Sequence, residues 1–324
     1  MRKPLQVVVL DDGYESYATE QSILAEIGAI VILKPCHNDA AAVAAALADA
    51  DAALVRESPV TAAAIAGARR CKAIVRYGVG VDGVDRAAAA ERKIYVANVP
   101  DYGAEEVSDH AMALLLAVAR YIVRRDRDVR NGAWNVTRHE KMYRIAGRTL
   151  GLVGYGRIAR TFERKMRGMG IGRVLVTDPY LNPGEKLAVE PVDLKTLCME
   201  SDYISLHTPL TEETRHMIGE REIGLMKPTA ILINTARGPL IDEKALIEAL
   251  QNKAIAGAGL DVFEREPLPA GSPLMRLENA VLSDHTAWYS EESIEELQSK
   301  AAMEVLRVLK GERPLHWVNR WEDE

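Results

Sequence analysis

The chain has 324 residues, of which 48% are hydrophobic and 27% charged, with 23 Gly and 14 Pro. This is ordinary globular usage: it excludes a wholly disordered, collagenous or disulfide-framework protein, and the length favours two domains. Lys and Arg number 41 against 47 Asp and Glu, a formal charge of −6, which argues against a general nucleic-acid or anionic-membrane surface.

Taken in chain order, the first residues are basic, but the apolar run 7–10 stops at Asp11 and Asp12, so no secretory signal is expected. The longest apolar stretches, such as 111–119, reach nine residues, about half of the ~20 needed to cross a bilayer. A cytoplasmic protein with no membrane partner is expected. Cys36, Cys71 and Cys198 lack metal-ligand spacing and read as buried or incidental thiols in a reducing compartment.

Short aliphatic runs alternate with Ala-rich or amphipathic segments, the βαβ signature of a mainly parallel sheet. Strands are expected at 6–10, 30–33, 52–55, 73–75 and 94–96, with helical stretches such as 39–47 between them. Beyond Pro100, Val107, Ala111, Leu114, Leu115, Val118 and Ile122 share one face of a long helix starting near Ala104. A second series follows at 150–153, 174–177, 203–206, 230–233, 257–260 and 280–282. Last comes one amphipathic helix: Ser290 is its expected N-cap, Ile294, Leu297, Ala301, Val305 and Val308 its stripe, and Gly311 with Pro314 its end. These are two α/β domains, with the final helix returning to the first.

The most informative segment is Gly154-Tyr155-Gly156-Arg157-Ile158-Ala159, a G-x-G-x-x-A placed after an expected strand and opening an expected helix. Gly154 permits the tight turn, Gly156 lets backbone approach a pyrophosphate, and small Ala159 lets helix pack on strand. The N–H groups that follow, through Arg157 and Ile158, face the phosphates at the positive end of the helix. Asp178 ends the next strand, 22 residues after Gly156, close to the ~20 expected of a ribose-binding carboxylate. Its charge repels a 2′-phosphate, so NAD is expected as cofactor rather than NADP.

Three later strand ends carry polar groups: Asn234-Thr235-Ala236-Arg237-Gly238, Gly259-Leu-Asp261-Val-Phe-Glu-Arg-Glu266-Pro267 and His285-Thr-Ala-Trp288. Singly, each reads as a solvated or structural loop. In this order behind the glycine fingerprint, they resemble the D-isomer-specific 2-hydroxyacid dehydrogenases, which include phosphoglycerate dehydrogenase, glycerate dehydrogenase and hydroxypyruvate reductase. The likeness covers essentially the whole chain. Segments 75–85 and 285–291 are most similar to the branch that contains the C-terminal-binding proteins.

The resemblance implies two doubly wound parallel-sheet domains: a Rossmann NAD domain, 99–286, inserted into a flavodoxin-like substrate domain, 1–98 and 287–324, with the substrate in a cleft between them. It implies that Arg237 binds the substrate carboxylate and carbonyl oxygen, that His285 is the general acid/base, and that Glu266 pairs with His285. These roles suit a permanently charged planar fork and a ring that exchanges protons near neutral pH. Thr208, Pro209, Thr214, Thr235, Ala236 and Asp261 match positions beside the cofactor. Gly78, Val79 and Gly80 match a loop that binds the substrate carboxylate, with Arg76 nearby and Trp288 as a pocket wall; Arg56 is a further cation without an assigned role.

A small 2-oxo or 2-hydroxy acid of the hydroxypyruvate, glycerate or phosphoglycerate type is therefore the expected substrate. The alternative is an NAD-sensing interaction scaffold like the C-terminal-binding corepressors; the complete trio of Arg237, Glu266 and His285 favours turnover. No regulatory domain is expected after Trp321. The run Arg120, Arg124, Arg125, Arg127 and Arg130, interleaved with Asp126 and Asp128, reads as a solvated or subunit-contact face rather than a nucleic-acid patch, and the resemblance implies a homodimer there. His37, His110, His139, His216 and His316 form no metal cluster, and His207 reads equally as a structural residue or a contact.

Overall fold

Runs of Val, Ile, Leu and Ala too short for helices become the strands of two parallel sheets in the computed structural model, which describes residues 4–134, 141–181 and 188–321. The chain divides into two compact units, Met1–Gly103 with Ser290–Glu324, and Ala104–Tyr289. The junctions fall a few residues beyond 98 and 286. The helix that opens the second unit starts at Ala104, and the Ala287 N–H donates to Asp261 of that same unit.

The first unit runs β1 (Gln6–Val9), α1 (Ala18–Leu24), β2 (Ile30–Leu33), α2 (Ala40–Leu47), β3 (Ala52–Val55), α3 (Ala62–Gly67), β4 (Ala73–Arg76), α4 (Arg86–Glu91) and β5 (Tyr95–Ala97). Its strands pair in the order β2-β1-β3-β4-β5, all parallel, which is the flavodoxin-like winding. Every residue of β3 is buried, as a strand covered on both faces requires. Helices start where a side-chain oxygen takes up an orphan N–H: Asp39, Thr61 and Asp85 cap α2, α3 and α4.

The second unit begins with α5 (Ala104–Ala119) and α6 (Ile122–Arg130). A single long helix was the expectation. Instead the chain breaks at Tyr121, whose φ of 53° is left-handed, and Ile122 leaves the stripe to stand 56% exposed. The apolar face ends at Val118 because the next turns are charged. Then follow β6 (Thr149–Val153), α7 (Arg157–Gly168), β7 (Arg173–Thr177), β8 (Glu190–Pro191), α8 (Leu194–Glu200), β9 (Tyr203–Leu206), α9 (Glu220–Leu225), β10 (Ile231–Asn234), α10 (Glu243–Gln251), β11 (Gly257–Leu260) and β12 (Ala280–Leu282).

These strands pair in the order β12-β11-β10-β9-β6-β7-β8, the Rossmann winding with one further strand, reversing direction between β6 and β9. The strands alternate between two buried faces: Leu150, Leu152, Val174, Val176, Ile231 and Ile233 meet α5 and α7, while Leu175, Ile204 and Leu232 meet the opposite core. The exposed pair β8 carries no apolar run, so nothing in the pattern announces it.

Helix α11 (Glu291–Leu309) belongs to the first unit and packs on α1 and on the sheet. Leu297, Ala301, Val305 and Val308 are buried, whereas Ile294 is half-buried. Gln298 donates to the buried Glu20 carboxylate at 2.9 Å, and the Tyr77 hydroxyl donates to it at 2.7 Å, so the returning helix is tied by polar contacts as well. Cys36, Cys71 and Cys198 are free and buried. Among the described residues no helix is long and apolar enough to cross a membrane, and no group of side chains could hold a metal ion; His139 lies outside the described residues.

Ser290 and Ser293 cap α11 reciprocally, each hydroxyl accepting the other's N–H at 2.9 and 2.8 Å. Ser290→Ala is expected to lower stability by about 1 kcal/mol and Ser290→Asp to hold it. Urea unfolding followed by circular dichroism reads this directly, and an unmoved midpoint for the Ala variant contradicts it.

Candidate active site

The reversal of strand order makes a crevice at the carboxyl ends of β6 and β9, and the glycine loop lies in it. Gly154 has φ +86°, and a Cβ there would stand 2.8 Å from the His207 carbonyl carbon. The turn after β6 is therefore pressed against the turn after β9, and only glycine fits. Gly156 is the residue before α7, no side chain caps that twelve-residue helix, and nothing lies within 4 Å of where a Cβ at Gly156 would be. The result is an open cradle at a positive helix end. Ala159 is fully buried under it.

Asp178 follows β7 and is held beside the loop, its Oδ2 accepting the Tyr155 N–H at 2.7 Å and its Oδ1 the Tyr180 N–H at 2.8 Å. The Tyr155 ring turns inward, its hydroxyl donating to Glu163 and its face covered by Arg160. Burial, with the Glu163 carboxylate, pushes its pKa up to about 12. Tyr155 thus braces the loop from beneath. Arg157 and Ile158 form the first turn of α7.

The His207 ring nitrogen Nε2 is buried with no partner among the described residues, and burial pushes the pKa down to about 3. The neutral ring packs against Phe162, while the His207 backbone lies against Gly154. Past it, Thr208 and Pro209 open an exposed turn that Thr214 closes, donating its hydroxyl to the Pro209 carbonyl at 2.8 Å. Thr235, at the end of β10, keeps a buried hydroxyl without a partner among the described residues. An open glycine cradle, a carboxylate at the end of β7 and an orphaned hydroxyl at the sheet edge fit a dinucleotide lying across the crevice.

Two further loops meet at this edge. Gly238 lies flat against the 263–264 backbone, since a Cβ there would fall on the Phe263 carbonyl; the Arg237 loop and the Glu266 loop can approach only because of it. Asn234 was not singled out from sequence, yet it shapes the first loop: fully buried, it accepts the Ala236 N–H at 3.0 Å and donates to the Arg237 carbonyl at 2.8 Å. A polar residue ending an otherwise apolar strand was the available signal.

Glu266 accepts the Phe263 N–H on Oε1 at 2.9 Å and meets His285 Nδ1 with Oε2 at 2.7 Å. Burial raises the Glu266 pKa, but the hydrogen bond and charge of His285, the Phe263 N–H and the Arg237 charge outweigh it, and the net shift is downward. The carboxylate is thus ionised over the neutral range and can only accept, so Nδ1 carries the hydrogen and Nε2 is the ring atom left to exchange a proton.

Asp261 is fully buried at the end of β11. Matched to a cofactor-side position, it spends its side chain on protein: Oδ1 accepts from Ser283 Oγ at 2.6 Å and from the Thr286 N–H at 3.1 Å, and Oδ2 accepts the Ala287 N–H at 3.0 Å. The Asp261 carbonyl takes the His285 N–H. Trp288 donates its indole N–H to the His285 carbonyl at 3.0 Å.

Arg76 ends β4 in the first unit. Gly78 has φ +128°, and a Cβ there would fall on the Arg76 guanidinium. Val79 is 39% exposed, and its carbonyl is held by the Asn98 amide at 2.6 Å; Gly80 follows it in the same turn. Arg56 donates its N–H to Asp11 at 2.6 Å and its side chain to Glu57. In the second unit, the arginine run is largely neutralised: Arg127 meets Glu278 at 2.7 Å, Arg130 meets Asp126 at 2.8 Å, and Arg124 reaches Asp128 and Glu278.

Residues 112–287 match the profile of the D-isomer specific 2-hydroxyacid dehydrogenase, NAD binding domain. A glyoxylate reductase of Korarchaeum cryptofilum is 45% identical over 267 residues, covering 81% of this chain and 80% of that protein. A D-3-phosphoglycerate dehydrogenase of Methanocaldococcus jannaschii is 41% identical over 84% of this chain and 52% of that one. Among solved structures, D-lactate dehydrogenase from Aquifex aeolicus complexed with NAD and lactic acid superposes with a TM-score of 0.87, at 26% identity over 98% of this chain and all of that one.

Since Gly154 touches backbone on its far side and sits at positive φ, Gly154→Ala must move the loop. About a tenfold or greater loss of NADH affinity is expected, on the scale of 1–3 kcal/mol for strained backbone. Fluorescence titration reads it, with circular dichroism confirming the fold; wild-type affinity contradicts the cradle.

Proposed function

The chain belongs to the D-isomer specific 2-hydroxyacid dehydrogenase family, and from this premise we propose that Arg237, Glu266 and His285 carry its reduction of a small 2-oxo acid to the D-2-hydroxy acid. It is an NAD-dependent enzyme. The observation that carries the assignment of roles is the 2.7 Å contact between Glu266 and His285 Nδ1, which leaves Nε2 to exchange a proton.

When bound, NAD supplies the hydride acceptor or donor. The residues of this chain do the rest. The Gly154–Ile158 loop and Asp178 would seat the dinucleotide, Thr208, Pro209 and Thr214 would flank it, and Thr235 and Ala236 would border its nicotinamide end, with Asp261 behind them holding the His285 loop. Arg237 holds the substrate carboxylate and the keto oxygen, drawing charge toward that oxygen. As the keto carbon gains the hydride, the oxygen gains the proton from His285 Nε2, and the imidazolium becomes imidazole. Glu266 stabilises the protonated ring beforehand and fixes its orientation. In oxidation the same proton returns to Nε2. Taken by itself, the first unit offers a carboxylate the backbone of Gly78, Val79 and Gly80 and the second cation of Arg76; in the second unit, Trp288 bounds the substrate.

The relatives named glyoxylate reductase and D-3-phosphoglycerate dehydrogenase support a 2-oxo acid of two or three carbons, of the glyoxylate or hydroxypyruvate type. The scaffold reading gains no specific observation. Exposed Ile122, Val123 and Val129 among paired arginines on α6 support a subunit contact and hence a homodimer.

A screen of NADH oxidation with glyoxylate, hydroxypyruvate and phosphohydroxypyruvate tests the reading: turnover on at least one is expected, and tight NADH binding without turnover on any overturns it. His285→Asn should keep NADH affinity while kcat falls ~10²–10⁴-fold, the range for loss of a general acid/base; unchanged turnover removes His285 from the mechanism. Glu266→Gln removes the negative charge beside the ring, so the alkaline limb of the reduction pH profile should move to lower pH, and superimposable profiles contradict the pairing. Asp178 sets the cofactor choice, so kcat/KM for NADH should exceed that for NADPH by about tenfold or more, and equal values reject it.

A further inference from the structure

On the reading of His285 as the proton carrier, we propose that His110 is a positioning residue for the reaction, acting through Ser283 and Asp261 to fix the loop that presents His285. Residues 283–287 wrap around the Asp261 carboxylate, which accepts from Ser283 on one side of His285 and from Thr286 and Ala287 on the other. His285 itself sits at φ +59°, a left-handed conformation uncommon for a non-glycine residue that persists only where its surroundings hold it. The position of its ring therefore depends on how firmly the wrap is anchored.

His110 supplies an anchor from outside the loop. Its Nε2 lies 2.7 Å from Ser283 Oγ and 3.4 Å from Asp261 Oδ1. A serine hydroxyl has one hydrogen, and at 2.6 Å from Asp261 Oδ1, an oxygen that also accepts the Thr286 N–H, that hydrogen goes to Asp261. The Ser283 oxygen must then accept, so His110 is protonated on Nε2 and donates. The order is His110 Nε2–H to Ser283 Oγ–H to Asp261 Oδ1, each bond polarising the next. The relay is mounted on α5, whose Ala111, Leu114, Leu115 and Val118 are packed into the core of the unit. Ser283 is thereby clamped between a rigid helix and the residue that orders the His285 loop.

The test is steady-state kinetics, NADH affinity and thermal stability on wild type, His110→Ala, His110→Gln, Ser283→Ala, Ser283→Thr and the double Ala variant. His110→Ala should lower kcat about ten- to a hundredfold, the scale of an ångström-sized misplacement of a catalytic group, with KM and NADH affinity nearly unchanged. Gln, which restores an N–H donor at the reach of Nε2, should recover most of kcat, and Thr should do so at 283. The double variant should be no slower than the slower single one, because both break the same chain. Wild-type kcat in His110→Ala, failure of Gln to rescue a folded Ala variant, or independent multiplication of the two effects overturns the relay. If His110→Ala does not fold, Ser283→Ala against Ser283→Thr decides: equal kcat values overturn it. A dead His285→Asn beside a fully active His110→Ala rejects the relay alone, whereas an active His285→Asn rejects the reading it rests on.

Discussion

A histidine between two carboxylates is the contact on which the rest of this protein turns. Glu266 holds the ring of His285 at Nδ1, and Asp261 holds the His285 N–H, the two backbone N–H groups after it and the Ser283 hydroxyl before it. The two acids differ in exposure and so in task. Glu266 is half-exposed and titratable, with its pKa held below the usual carboxylate range by His285, Phe263 and Arg237 against the opposing effect of burial. Its charge is present at neutral pH and is lost only as pH falls through that lowered value. Asp261 is sealed from solvent and surrounded by donors, so it acts as a fixed post. One carboxylate biases the chemistry and the other fixes the geometry.

That arrangement needs three loops at one edge of a sheet, and the winding of the second unit delivers them. Strands β10, β11 and β12 are neighbours in parallel, so their carboxyl ends present Arg237, the Glu266 loop and His285 side by side. Two positions where a side chain cannot fit permit the approach. Gly238 lets the Arg237 loop lie on the Glu266 loop, and Gly154 lets the β6 turn lie on the β9 turn. The Ala-rich, aromatic-poor composition has the same consequence at larger scale, since small residues such as Ala111 and Ala159 bring α5 and α7 close to the strands.

Much of the fold was legible because each strand is an unbroken apolar run bounded by polar residues, and such runs place strand centres well. The pattern failed where its signal was absent. The two residues of β8 are exposed, and the helix break at Tyr121 is a backbone event that the apolar spacing up to Ile122 does not reveal. Glu266 and His285 were singled out from separate loops, and 2.7 Å between them is a fact of tertiary structure. What sequence could not supply is what each polar side chain spends its hydrogen bonds on. Asp261 was matched to the cofactor's surroundings, yet its oxygens serve the His285 loop; His207 read equally as contact or structural residue, and its ring packs on Phe162 with Nε2 buried. His110 and Ser283 lie 173 residues apart, and no spacing rule connects them.

The central claim is that the fold fixes the tautomer of His285 before any substrate arrives, with hydrogen on Nδ1 toward Glu266 and Nε2 turned to the reaction. Long-range proton–nitrogen NMR of protein labelled with nitrogen-15 histidine, assigned with His285→Asn and recorded on the neutral ring, observes this directly. The predicted result is a neutral ring protonated on Nδ1, reverting to the mixed tautomers of a free imidazole in Glu266→Gln. A His285 ring protonated on Nε2, or one unaffected by Glu266→Gln, contradicts the account.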